Sequence, residues 1–225
     1  MTSTDTTPAT DTFKPPAPQA AQIPGPAGAL EARIEDPVPA GTPRRVIGVV
    51  CHPHPLHGGT MQNKVVHTAA RAMQEAGAAT VRFNFRGVGA SEGRYDQGVG
   101  ELADALAAID WARQHFECDA LWLAGFSFGA AIALQAATQG ARPLRLVTIA
   151  PPVGRIITQP IPRPQCPWLI VQGDQDELIE LAAVQQWAAG YAPAPRLQVI
   201  EGAEHFFHGK LAQLRETVLG FVREA

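Results

Sequence analysis

The sequence predicts a single α/β domain: a mostly parallel sheet covered by helices on both faces. Three observations carry that expectation. The chain has 225 residues, enough for one sizeable core. From about Leu30 onward, short apolar runs of strand length alternate with stretches of helical period. One of those runs, Leu121-Trp122-Leu123-Ala124, leads into Gly125-Phe126-Ser127-Phe128-Gly129 and then an alanine-rich helical stretch over residues 130–138. That is a strand, a sharp turn and a helix with a serine at the apex.

Residues 1 to about 22 are rich in Thr, Pro, Ala and Asp and contain one aromatic residue, Phe13. They bury too little apolar surface to offset the entropy of ordering. A disordered tail over 1–22 and a folded domain over 23–225 are therefore expected. Residues 30–35 read as an edge strand, and residues 46–51 as a strand buried on both faces. A helix is expected over 62–75, with Val65, Val66, Ala69, Ala70 and Met73 on its apolar face and Gly77 as its stop. Residues 80–85 form the next strand. The glycine-rich segment 86–93 is a loop, and Val99, Leu102, Leu106 and Ile109 mark the helix after it. Its glycines lack the spacing of a dinucleotide-binding turn, so a structural loop beside the serine is expected. Residues 144–149, 168–171 and 197–200 are three more strands. Leu211, Leu214, Val218 and Phe221 form the apolar face of a closing helix.

Composition narrows the function classes. Apolar residues make up 46% and charged residues 17%, with a net charge of −3 and no Lys/Arg block, so neither nucleic acid nor an anionic membrane is the expected partner. Cys51, Cys118 and Cys166 are widely separated and form no CxxC pair, which points to reduced, buried thiols. No signal-peptide pattern opens the sequence, and no run of roughly 18 apolar residues occurs. A soluble, cytoplasmic protein is expected.

A serine hydroxyl is a weak nucleophile near neutral pH and needs a base, most often a histidine oriented by a carboxylate. Glycines two residues to either side of Ser127 let strand and helix approach, and the helix N-terminus favours a developing oxyanion. Partners belong on loops after later strands. Gly173-Asp174-Gln175-Asp176-Glu177 and Gly202-Ala203-Glu204-His205-Phe206-Phe207-His208 supply them. Asp176 lies deeper in its loop and is the preferred acid, while Asp174 reads as a turn residue. Glu177 and Glu204 stay as alternatives. His205 is the preferred base, and His208 reads as a packing or capping residue near the next helix.

The oxyanion needs two backbone donors. Phe128, the residue after the serine, offers one. The second comes from His52-Pro53-His54-Pro55-Leu56-His57-Gly58-Gly59-Thr60. Prolines have no N–H, which leaves His54 as first choice and Leu56 as second. His52, His54 and His57 also pose the question of a zinc site. Prolines interrupt their spacing and no carboxylate completes the set, so no metal and no other cofactor is expected.

The chain resembles the α/β-hydrolase superfamily, and within it the small lidless serine hydrolases of bacteria related to the dienelactone hydrolase group. The resemblance runs from about Ile23 to the C-terminus. It rests on the 25–31 stretch Gly-Pro-Ala-Gly-Ala-Leu-Glu, Cys51-His52-Pro53-His54-Pro55, Gly58-Gly59-Thr60-Met61, Arg82-Phe83-Asn84-Phe85-Arg86-Gly87-Val88-Gly89, Gly125 to Gly129, Ala150-Pro151-Pro152, Gly173 to Asp176 and His205-Phe206-Phe207. It implies hydrolysis of a small-molecule ester with Ser127, Asp176 and His205 as the triad. Dienelactone hydrolases proper use a cysteine where this chain has Ser127, so lactone specificity does not follow. Where many such folds insert a helical cap, residues 151–167 form only a short Pro-rich connection, and an open site is expected.

Overall fold

The computed structural model of the protein describes residues 18–39 and 46–224. In chain order its elements are β1 (Gln19–Gly25), β2 (Gly28–Glu35), β3 (Ile47–Cys51), α1 (Lys64–Glu75), β4 (Ala79–Phe83), α2 (Val99–Phe116), β5 (Leu121–Phe126), α3 (Phe128–Ala136), β6 (Arg145–Ile149), β7 (Trp168–Gly173), α4 (Leu181–Ala189), β8 (Arg196–Ile200) and α5 (Leu211–Arg223). The strands form one sheet in the order β1-β2-β4-β3-β5-β6-β7-β8. From β4 to β8 every pairing is parallel, and the β1–β2 hairpin adds to β4 antiparallel. β3, β5 and β7 are buried at every position, which is why they read as continuous apolar runs.

α1 and α5 cover one face, where Val66 and Met73 share a core with Leu214 and Phe221. α2, α3 and α4 cover the other, around Ile109, Ile132 and Val184. α1 begins at Lys64, two residues later than expected, because the Asn63 side chain caps it by accepting from the Val65 amide at 2.9 Å. Among the described residues no helix is long and apolar enough to cross a membrane.

Three expectations need correction. Residues 30–35 lie within β2 and are not the edge, because β1 pairs outside them from Gln19 to Gly25. The expected tail therefore ends too late. Its residues 19–22 are strand, held by the β2 ladder, and residues 1–17 lie outside those described.

On α2, Val99 is 74% exposed while Glu101 and Asp104 are fully buried. The buried face carries two acids because each is paired. Glu101 accepts from the Asp96 and Gly98 amides at 2.8 and 2.7 Å, and Asp104 accepts from Arg86. A reading by apolar period cannot register a buried acid. α4 is a further helix that the reading did not place.

The 82–89 motif is structural. Arg82 bonds Glu35 in a two-pronged pair at 3.0 Å and the Met61 carbonyl at 2.7 Å. Asn84 accepts from the Met61 amide and donates to Glu31. Ser91 and Glu92 bond back to Glu31 and Ala29, so this loop fastens the N-terminal hairpin to the sheet. Phe85, beside Phe128 with ring centroids 5.7 Å apart, brings the same loop against the serine turn.

Candidate active site

Ser127 sits between β5 and α3 with φ 52° and ψ −118°, in a region that L-residues rarely occupy. The flanking glycines show why the turn is possible. A β-carbon on Gly125 would lie 2.0 Å from the Gly129 carbonyl oxygen, and one on Gly129 would lie 2.3 Å from that of Cys51. Backbone thus passes against backbone on both sides of the serine. Its amide donates to the Ile149 carbonyl at 2.8 Å, tying the apex to β6. Phe128 is the first residue of α3, so its amide has no intrahelical acceptor and belongs to the positive end of the helix.

The sheet topology explains why the other residues gather here. The chain moves outward from β3 to β4, then crosses back to lay β5 on the opposite side of β3. Connections diverge at that point and leave a crevice at the carboxyl ends of the strands. The loops after β3, β5, β6, β7 and β8 surround it.

His205 is 2% exposed. Its Nε2 lies 3.1 Å from the Ser127 Oγ and its Nδ1 lies 2.8 Å from the Asp176 Oδ2. Asp176 accepts three more bonds: from the Gln172 side-chain amide at 2.9 Å and from the Leu178 and Ile179 backbone amides at 2.9 and 2.8 Å. Burial raises its pKa, but the His205 hydrogen bond and charge and the two loop amides outweigh burial and hold the carboxyl below its ordinary value.

The structure brings Ser127, His205 and Asp176 into one hydrogen-bonded line and leaves the alternatives outside it. Asp174 accepts from the Gly202 amide at 2.6 Å, a tie between the two loops. Glu177 accepts from the His205 backbone amide at 3.2 Å. Glu204 pairs with His208 on the exposed side, and α5 starts at Leu211, after an N-cap residue, Lys210, that makes no side-chain cap bond.

Of the two candidate donors after β3, the Leu56 amide already donates to His54 Nδ1 at 3.2 Å. His54 lines the same cavity as Ser127 and His205. Its pKa is lowered, first by partial burial and then by the charge of His57, on which it stacks at 4.2 Å. His52 is elsewhere employed. Its Nδ1 donates to the Pro53 carbonyl at 2.6 Å and its Nε2 accepts from the Phe85 amide at 3.0 Å, so both nitrogens hold loops. Among the described residues no three side chains of metal-ligating type come together. Cys51 and Cys166 are buried as expected and Cys118 is half-buried.

Sequence reasoning missed two residues. Gln172, the one polar side chain in β7, braces Asp176, and its own Oε1 is buried without a partner. Its polarity inside an apolar run was the available signal. Arg155 came from a Pro-rich segment with no periodicity. It lines the cavity over Ser127 with Pro152, Ile156 and Leu178, and this cavity is about 210 Å³. A larger cleft of about 490 Å³, beside Arg142 and Arg163, contains none of these groups. Residues 151–167 include a turn closed by Val153 and Ile157 and form no helix, so this segment places no helical cap over the site.

A parallel sheet that carries a strained serine between strand and helix, with histidine and carboxylate in line behind it, defines the α/β serine hydrolase class. Residues 29–158 match the model of the X-Pro dipeptidyl-peptidase (S15) family. The chain is 42% identical to an α/β serine hydrolase without lid from Xanthomonas campestris, with a TM-score of 0.87 over 95% of this chain and 97% of that one. It is 46% identical to an α/β serine hydrolase homologue from Coxiella burnetii, with a TM-score of 0.86 over 91% and 97%. An uncharacterized protein from Rickettsia prowazekii (strain Madrid E) is 35% identical over 206 residues, 86% of this chain and 84% of the relative. By these matches the chain belongs to the S15 family, which is of α/β-hydrolase type, and to the lidless serine hydrolases that share its fold.

Proposed function

We propose that the protein hydrolyses short-acyl carboxylesters through an acyl-enzyme at Ser127. The observation that carries this reading is the continuous line from Ser127 Oγ through His205 to Asp176. In the first half-reaction His205 Nε2 takes the hydroxyl proton while Oγ attacks the ester carbonyl. The oxyanion sits against the amides of Phe128 and His54, and His205 returns the proton to the departing alcohol. In the second, water repeats the attack and releases the acid and free serine. Asp176 keeps the Nδ1 proton in place and stabilises the imidazolium. No Lewis acid enters these steps.

A cavity of about 210 Å³ is small beside the roughly 300–1,000 Å³ of sites for drug-sized ligands, which favours short acyl groups. The S15 family name would place the free amino terminus of a dipeptide in this cavity. An ammonium calls for a carboxylate beside it, whereas among the described residues the cavity is lined by Arg155 and histidines and by no acid.

A fluorophosphonate should label Ser127, and p-nitrophenyl esters of increasing chain length should show turnover falling with length. Ser127→Ala should lower turnover by several orders of magnitude, leaving what the oxyanion hole and binding provide. Near-wild-type turnover by a folded Ser127→Ala protein would overturn the assignment.

A further inference from the structure

We infer that the substrate carries an anionic group, a carboxylate close to the scissile ester, and that Arg155 recognises it. This rests on the ester-hydrolase reading above and specifies its substrate class. Arg155 lines the cavity that holds Ser127 and His205. Among the described residues no ion pair, side-chain hydrogen bond or aromatic ring engages its guanidinium. Several other arginines are occupied, Arg82 by Glu35, Arg86 by Asp104 and Arg215 by Glu75, while Arg33, Arg94 and Arg142, which also lack an ion pair among the described residues, do not line this cavity. Among the described residues Arg155 is the arginine that lines this cavity, and its donors are unused.

The backbone beneath it is fixed. The amides of Arg155, Ile156 and Ile157 converge on the Pro152 carbonyl at 3.2, 3.0 and 3.0 Å, and the Gly154 amide closes the turn on the Ile157 carbonyl at 3.1 Å. The guanidinium therefore leaves a defined point on the cavity wall, next to Ile156, and Leu178 lines the cavity too. Ile156 and Leu178 are 38% and 39% exposed and lie together on the wall of this cavity. A short hydrocarbon segment can lie against them while the planar fork takes two carboxylate oxygens. Among the described residues no carboxylate lines the cavity, and the nearest one on the catalytic line, Asp176, lies behind the His205 ring.

Half-esters of small dicarboxylic acids, or esters of small hydroxy acids, have this chemistry. The two differ in which side of the ester bears the charge.

Isosteric pairs separate them. Monoethyl succinate against ethyl levulinate places the carboxylate, or a methyl ketone of the same shape, on the acyl side. 3-Acetoxypropanoate against 4-acetoxybutan-2-one does the same on the alcohol side. The ratio of kcat/KM, acidic over neutral, is read for each pair from acid release at constant pH. For one pair the wild type should prefer the acidic member on the order of tenfold, less so as salt rises. Arg155→Gln should bring that ratio to about one, Arg155→Lys should keep part of it, and Arg155→Glu should reverse it. A ratio near one in the wild type for both pairs, or a ratio that Arg155→Gln leaves in place, overturns the inference. If Arg155→Gln does not fold, the Lys variant and the salt dependence decide. Absence of turnover of all four compounds, together with no fluorophosphonate labelling, would instead fault the underlying ester-hydrolase reading.

Discussion

Asp174 and Asp176 stand on one loop and do different work. Asp176 faces the imidazole and Asp174 ties that loop to Gly202, so exchanging each carboxylate for an amide tests them separately. Asp176→Asn should reduce kcat by a factor on the order of 10⁴, because an amide no longer selects the tautomer with a proton on Nδ1. Asp174→Asn should cost far less, and the opposite ranking in two folded proteins would exchange their roles. His52 poses a separate test, in stability. Burial pushes its pKa down from 6.5 to about 4, and a protonated Nε2 would point a hydrogen at the Phe85 amide that it now accepts from. A histidine neutral in the fold but free to protonate when unfolded adds stability that is whole above pH 6.5 and is lost as pH falls toward 4. The loss amounts to about 3 kcal/mol. Urea unfolding across this window should show the decline, and His52→Asn should flatten its upper part, where carboxylates do not yet titrate.

Elements were legible where one physical signal dominated. The buried strands β3, β5, β6 and β7 are apolar runs, α1 and α5 have a single greasy face, and the serine turn is written in its glycines. What stayed hidden depends on partners outside the element itself. β1 buries only Ile23 of its seven residues and is a strand because β2 lies beside it, while the buried face of α2 includes Glu101 and Asp104, whose partners lie outside the helix. At the site, the order serine, acid, histidine could be read from loops after strands. Arg155 and Gln172 could not be placed, since no spacing rule ties either one to the serine. The turn between β5 and α3 makes the firmest prediction at this scale. Gly129→Ala puts a methyl group 2.3 Å from the Cys51 carbonyl oxygen, and backbone cannot swing aside as a side chain would. The cost should be near the upper end of overpacking, about 3 kcal/mol. For a domain of this length that lowers Tm by roughly 6–12 °C. Fluorophosphonate labelling of Ser127 should slow in the same variant, because α3 carries the Phe128 amide. An unchanged Tm would show that the close approach is dispensable.

Across the whole molecule, one buried ion pair joins the sheet to a covering helix. Asp104 on α2 is fully buried and accepts from the Arg86 amide at 3.0 Å, from its Nε at 2.9 Å and from its Nη2 at 2.7 Å. The guanidinium lies against α2 so closely that a β-carbon on Gly100 would come within 2.1 Å of it, which accounts for a glycine in the first turn of that helix. Arg86 begins the loop that also fastens the N-terminal hairpin, so the pair connects α2, β4 and β2. Removing Arg86 strands the Asp104 carboxylate out of reach of water, and removing Asp104 leaves a largely buried guanidinium without its acceptor. Asp104→Ala or Arg86→Ala should each cost about 3–5 kcal/mol. Removing both strands neither charge, and Arg86→Met with Asp104→Leu should be less damaging than either single change. Urea unfolding of the three variants would test this. The outcome that counts against it is a double variant whose loss equals the sum of the single losses, since that would make the two side chains independent supports and not a coupled pair.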